Sequence, residues 1–69
     1  MTNGIMKINV TKRFDGNCKV YAFDVKIDGE VYREVSKHRA FMLVIQAQEV
    51  ADELDMAVTV HGLDYLRAA

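Results

Sequence analysis

Residues 36–55 read SKHRAFMLVIQAQEVADELD and form the one segment that is long and regular enough to predict a helix directly. Apolar residues recur in it at intervals of three and four, which is the spacing of one face of an α-helix. Ser36 stands just before this pattern and belongs to the residue types that cap helix N-termini. The predicted buried stripe is Ala40, Leu43, Ala47, Val50 or Ala51, and Leu54.

The segments around this helix alternate between apolar and polar residues, as half-buried strands do. Residues 5–14 predict a first strand with Met6, Ile8, Val10 and Phe14 directed inward, and residues 18–27 predict a second with Tyr21, Phe23, Val25 and Ile27 inward. A third strand, residues 30–35, follows the turn signal Asp28-Gly29, and a fourth, residues 56–61, follows the helix. The predicted fold class is α+β: a three-stranded antiparallel meander, one long helix packed on the sheet and a short fourth strand (β-β-β-α-β).

The register of the third strand stays open at this point. A two-residue turn would place Tyr32 beside Val25, whereas a three-residue loop with a bulge would bring Val31 and Val35 inward. The position of the fourth strand in the sheet is also left open by the pattern alone.

The chain has 69 residues, a formal net charge of −1 and 51% hydrophobic residues, which predicts one small folded domain. Residues 1–4 are expected to be a frayed N-terminal tail, and residues 62–69 a C-terminal tail with one helical turn at Tyr65 and Leu66. A single cysteine, Cys18, and the lack of an apolar run at residues 1–4 favour a cytoplasmic location. Domains this short commonly gain stability by oligomerising.

The predicted helix carries more apolar surface than one sheet can cover. Its run of five apolar residues, 41–45, spans more than one helix face, so Phe41, Met42 and Ile45 lie beside or opposite the buried stripe. These side chains would face water in a single subunit. The open alternative is that the chain's own tail covers Phe41 and Ile45, through Leu63, Tyr65 and Leu66.

The charges of this helix run against its dipole. Lys37, His38 and Arg39 occupy the first turn, where the helix end is partly positive, and acidic residues fill the last two turns. Two such helices packed antiparallel would bring each basic start near the acidic end of the other. The predicted protein interface is Lys37, Arg39, Phe41, Met42, Ile45, Glu49, Asp52 and Glu53.

The sequence contains no recognisable catalytic or phosphate-binding motif. Cys18, His38 and His61 are the residues with catalytic or metal-binding potential, but no base neighbours Cys18 and the three lack the spacing of a zinc site. The acidic residues near the helix end are typical of a solvated face. We therefore expect no enzyme activity, cofactor, metal or small-molecule substrate.

These patterns favour a small protein–protein interaction module, of the kind that a bacterium or phage uses as an adaptor or inhibitor. The expected partners are a second copy of the chain and an unidentified larger protein, with no membrane contact. The alternative is a nucleic-acid-binding domain that uses a basic sheet face made of Lys7, Arg13, Lys26 and Arg33. The slightly acidic net charge, together with Asp15, Asp24 and Glu34, argues against that alternative.

Overall fold

The computed structural model describes residues 4–67 and confirms the predicted β-β-β-α-β order. Residues 1–3 of the expected frayed tail and residues 68–69 of the expected C-terminal tail lie outside this range. Gly4 is tied to the sheet, because its carbonyl accepts a 3.0 Å hydrogen bond from the Ala57 amide. The elements are β1 (Ile5–Phe14), β2 (Val20–Ile27), β3 (Glu30–Val35), α1 (Lys37–Glu53), β4 (Ala57–His61) and α2 (Asp64–Arg67).

The four strands form one mixed sheet in the order β3-β2-β1-β4. β1 pairs antiparallel with β2, and β2 with β3, while β4 lies parallel to β1. α1 reverses the chain direction, so the strand that follows it points the same way as β3 and β1. The helix thereby carries the chain across the sheet from one edge strand to the other.

The core lies between α1 and one face of the sheet. The predicted stripe is confirmed for Ala40, Leu43 and Ala47, and Ala51 rather than Val50 continues it; Val44, which the predicted stripe did not include, is also buried. Leu54 was predicted to be buried, but it is 52% exposed because it caps the helix beyond the edge of the core. The sheet and α2 supply the other buried core residues: Met6, Ile8, Val10, Phe23, Val25 and Leu66.

Near the loop that joins β1 and β2, the inward and outward alternation of the side chains is interrupted. Arg13 pairs with Ala22 and Phe14 with Val20, so Tyr21 is an additional residue in β2, which is a β-bulge. The predicted inward orientation of Tyr21 is wrong, because its hydroxyl accepts a 3.3 Å hydrogen bond from Nε of Arg13 on the opposite face. Phe14 was also predicted to be buried, but it is 58% exposed beyond the reach of the helix.

The register of β3 follows the alternative with a two-residue turn, and Val31, which the three-residue loop would have turned inward, is 48% exposed. Ile27 pairs with Glu30 across a two-residue turn, and this places Tyr32 opposite Val25. A second irregularity then lets Val35 pair with Phe23, so Val35 also faces the core. This bulge is formed around Glu34, whose φ of 53° lies in the left-handed region.

Both ends of α1 are capped. The Ser36 hydroxyl accepts a 3.1 Å hydrogen bond from the Arg39 amide, as predicted for an N-cap. At the other end the Met56 amide donates to the Ala51 carbonyl at 2.8 Å and the Asp55 amide to the Asp52 carbonyl at 3.2 Å. These two bonds form a Schellman motif, in which Asp55 adopts a left-handed φ of 55°.

Gly62 brings the chain back over β1 after the last strand. Its φ is +84°, and a Cβ at this position would lie 2.1 Å from the Val10 carbonyl oxygen. This close approach lets α2 bury Leu66 in the core and places the Tyr65 ring under Lys12, with Nζ 4.3 Å from the ring centroid. α2 contains the helical turn that the sequence predicted at Tyr65 and Leu66.

We expect Gly62→Ala to destabilise the protein by about 2 kcal/mol or more. The methyl group would overlap a backbone carbonyl that cannot move without disturbing β1, and the left-handed backbone adds its own cost. Urea denaturation measures the change. Gly16→Ala is the matched control, since nothing lies within 4 Å of a Cβ there, and a similar loss in both variants would contradict the role given to Gly62.

Candidate interaction surfaces

The predicted interface residues share the solvent-facing side of α1. Phe41 is 39% exposed, and Met42 and Ile45 are half-buried rather than sheltered. The charged members of the predicted interface are all exposed: Lys37, Arg39, Glu49, Asp52 and Glu53. The structure therefore brings an apolar centre and charges of both signs together on one surface, which we call the α1 surface.

Phe41 lies on the flank of α1 next to α2. Together with Lys37, His38 and Leu66 it lines a shallow depression of about 440 Å³. The C-terminal tail was the alternative cover for this flank, and its Leu66 is indeed buried. Phe41 nevertheless stays exposed, so within residues 4–67 the tail covers this flank only in part.

A second apolar patch lies on the opposite flank of the helix, and the sequence reasoning missed it. Val50 is 45% exposed and lines a depression with Ile27 and Tyr32 near β3. The helical period made both Val50 and Ala51 candidates for the buried stripe. The choice between them depends on how the helix is rotated on the sheet, and packing sets that rotation.

The charge order on α1 is the one predicted, with no acidic residue in its first turn and no basic residue in its last. Each exposed charge on the wrong end of a helix dipole costs about 0.3–1 kcal/mol at low salt. A second helix that approached in the antiparallel direction would offset this cost. Its acidic end would lie near Lys37 and Arg39, and its basic start near Asp52 and Glu53.

The outer face of the sheet is the second candidate surface, because both described helices pack on the other face. All four predicted basic residues are exposed or half-exposed there. A shallow depression of about 390 Å³ crosses this face, lined by Asn9, Thr11, Arg13, Asp24, Lys26, Val31 and Arg33. The sequence pattern thus placed Lys7, Arg13, Lys26 and Arg33 correctly on one side of the sheet.

The Arg13 guanidinium interacts with two acidic side chains of the same chain. Its Nη1 forms a 2.8 Å ion pair with Asp24 Oδ2, and its Nη2 lies 3.6 Å from Glu34 Oε1. The other oxygen of Asp24 accepts a 2.9 Å hydrogen bond from the Glu34 amide. That amide, followed by the Arg13 guanidinium, lowers the pKa of Asp24 below its usual value of 3.8. This network stabilises the β3 bulge and offsets the charge of Arg13.

The residues with catalytic or metal-binding potential lie in different elements. Cys18 is exposed in the β1–β2 loop, His38 lies in the first turn of α1, and His61 ends β4. Among residues 4–67, no three His, Cys, Asp or Glu side chains come close enough to hold a metal ion. Nor does any helix in this range have the length and apolarity needed to cross a membrane.

Comparison with protein-family models, with curated proteins and with solved structures finds no match for this chain.

We expect Asp24→Asn to destabilise the protein by about 1 kcal/mol at neutral pH, since it removes the charge that Arg13 and the Glu34 amide stabilise. Because the pKa of Asp24 is lowered from 3.8 in the folded protein, its contribution is present above that value and is lost as pH falls through the lowered pKa. The parent and variant should therefore converge in acid.

Urea denaturation at neutral and acid pH makes this comparison. Asp64→Asn, at an exposed position in α2, controls for the removal of a carboxylate elsewhere. A constant difference between parent and Asp24→Asn across the pH range would contradict the proposed electrostatic role.

Proposed function

We propose that this chain is a small, non-enzymatic protein–protein interaction module that forms a homodimer through α1. In this role it acts as an adaptor or inhibitor by occupying a surface of a larger protein. The observation that carries the proposal is the exposure of Phe41, with half-buried Ile45 one turn away, on a helix whose end charges are reversed.

Pairing of two α1 helices would cover the exposed apolar side chains and also offset the reversed charges at the helix ends. Covering the exposed part of Phe41 and Ile45 removes apolar area from water, at about 25 cal/mol for each Å². An antiparallel arrangement also places opposite charges near each other at both ends. Such a contact is self-complementary, as the interface of a twofold dimer must be.

The apolar centre of the α1 surface also suits a partner of different sequence. Met42 is unbranched and flexible, so it adapts to surfaces of different shape. The single cysteine, Cys18, is exposed, which fits a reducing compartment such as the cytoplasm. The proposal assigns no catalytic residue and no cofactor.

Ile45→Asp tests the dimer directly. We expect it to raise the dimer dissociation constant about tenfold or more, because it places an unpaired charge in the apolar contact. Sedimentation equilibrium of the parent and variant at micromolar concentrations measures this constant. Gln46→Asp introduces the same charge on the flank facing β3 and should leave the constant unchanged. A monomeric parent, or equal effects of both variants, would refute dimerisation through this helix.

Nucleic-acid binding is the second candidate, because four basic side chains lie on the sheet face opposite the described helices. Lys7, Lys26 and Arg33 are the members of this set without a described ion pair to an acidic residue, whereas Arg13 is paired with Asp24. Phosphate contacts by these side chains would weaken steeply with salt.

Fluorescence anisotropy of a labelled DNA duplex separates the two functions. The nucleic-acid alternative expects affinity to fall by more than tenfold between about 50 and about 200 mM salt, and to fall again in Lys26→Glu. Lys19→Glu, in the β1–β2 loop, is the control for net charge. The interaction-module proposal expects no binding at either salt concentration.

A further inference from the structure

The two edges of the sheet differ in how they are protected against pairing with another strand. β3 carries charged residues, Glu30, Arg33 and Glu34, and a bulge with left-handed backbone near its end. These are devices by which natural proteins block edge strands. β4 reads Ala-Val-Thr-Val-His, with no Asp, Glu, Lys, Arg or proline, and its register with β1 is unbroken from residue 57 to residue 61. β4 is therefore the unprotected edge.

The hydrogen bonds of β4 show which of its main-chain groups are directed outward. The Ala57 amide donates to the Gly4 carbonyl, on the side of β1. Main-chain groups alternate in direction along a strand, so those of Ala57, Thr59 and His61 point toward β1. The N–H and C=O groups of Val58 and Val60 then point away from the sheet, and they form a row of two donors and two acceptors.

The rest of the described chain leaves this edge open. Gly62 turns the backbone over Val10, and α2 packs on α1 and β1 rather than beyond β4. The side chains of Val58 and Val60 are half-buried on the core side. Thr59 is exposed on the outer face.

We propose that β4 pairs antiparallel with β4 of a second copy, which joins the two sheets into one. This inference rests on the proposed homodimer and specifies how its subunits meet. In the register centred on Thr59, Val58 of each copy faces Val60 of the other. All four outward groups of each strand then form hydrogen bonds across the junction, and the two Thr59 residues meet on the twofold axis as a non-hydrogen-bonded pair.

The side chains in this register are compatible with one another. The valines form cross-strand apolar pairs on the core side, and the threonines pair on the outer face, an arrangement favoured in antiparallel sheets. No Asp, Glu, Lys or Arg of β4 has to be buried.

The same symmetry places the two α1 helices antiparallel on one face of the joined sheet. The flank of α1 that carries Phe41 lies beside α2 and opposite the flank that lies near β3, so it is turned toward the β4 side of the sheet and the second copy. Lys37 and Arg39 of one copy then lie at the same end of the dimer as Asp52 and Glu53 of the other. The charge order of α1 is thus complementary across this dimer.

Charged substitutions of Thr59, which lies on the proposed twofold axis, test the register of the β4 pairing. Thr59→Lys and Thr59→Glu should each raise the homodimer dissociation constant about tenfold, because like charges would face each other directly. An equimolar mixture of the two variants should restore dimerisation through opposite charges. Thr11→Lys, at an exposed position of β1 on the same face, should dimerise like the parent. Sedimentation equilibrium measures all four samples.

Oxidative cross-linking supplies a second measurement that does not depend on charge. Facing residues of a non-hydrogen-bonded antiparallel pair have Cα atoms about 4.5 Å apart, within the range that a disulfide spans. Thr59→Cys in a Cys18→Ser background should therefore form a covalent dimer on oxidation. Thr11→Cys in the same background should remain largely monomeric.

The results distinguish failure of this inference from failure of the proposed function. If Ile45→Asp dissociates the dimer but the Thr59 variants dimerise like the parent and do not cross-link, the copies meet through α1 alone and pairing of β4 is refuted. If the parent protein is monomeric at micromolar concentrations, both the β4 junction and the homodimer are refuted. Cross-linking at Thr59 together with heterodimer formation by the Lys and Glu variants supports the junction.

Discussion

The close packing of α1 on the centre of the sheet is the constraint on which the other features of this protein depend. Three alanines, at positions 40, 47 and 51, form most of the buried stripe, and they allow the helix backbone to lie near the strands. The fully buried Ile8, Val10 and Val25 fill the sheet side of this contact. A chain of 69 residues has room for one such core, so its rotation sets what every other side chain faces.

This rotation divides the remaining apolar surface of α1 between two flanks. Phe41 lies on the flank beside α2, half-buried Ile45 follows it one helical turn later, and Val50 lies on the flank near β3. A single helix covers only one face of a four-stranded sheet and cannot cover its own outer side. Residues 4–67 therefore leave a helix flank, one sheet face and one strand edge without cover, and these are the surfaces on which the proposed interactions rest.

The sheet itself is not uniform. Near β3, the Asp24 carboxylate accepts a hydrogen bond from the Glu34 amide at the bulge and forms an ion pair with Arg13. These contacts stabilise the fold of this region. At the opposite edge, the main-chain groups of Val58 and Val60 point away from β1. The proposed dimer uses this difference, since pairing at β4 sets the helices antiparallel and gives the charge order of α1 a partner.

Local patterns in the sequence were sufficient for the element types, their order and the side of the sheet on which the basic residues lie. Alternation in β1 and the three-to-four spacing in α1 are properties of short segments, and the inward positions of Met6, Ile8 and Leu43 follow from them. The turn at Asp28-Gly29 and the cap at Ser36 are likewise local. For the same reason, the unusual apolar content and charge order of α1 follow from its own residues alone.

Other features required the folded chain, because they depend on contacts between residues far apart in sequence. The outward turn of Tyr21 and the inward position of Val35 result from bulges that no alternation pattern marks. The choice of Ala51 over Val50 depends on the helix rotation, and the edge position of β4 depends on its pairing with β1. Periodicity specifies which residues can share a face, whereas packing in three dimensions specifies which of those faces is covered.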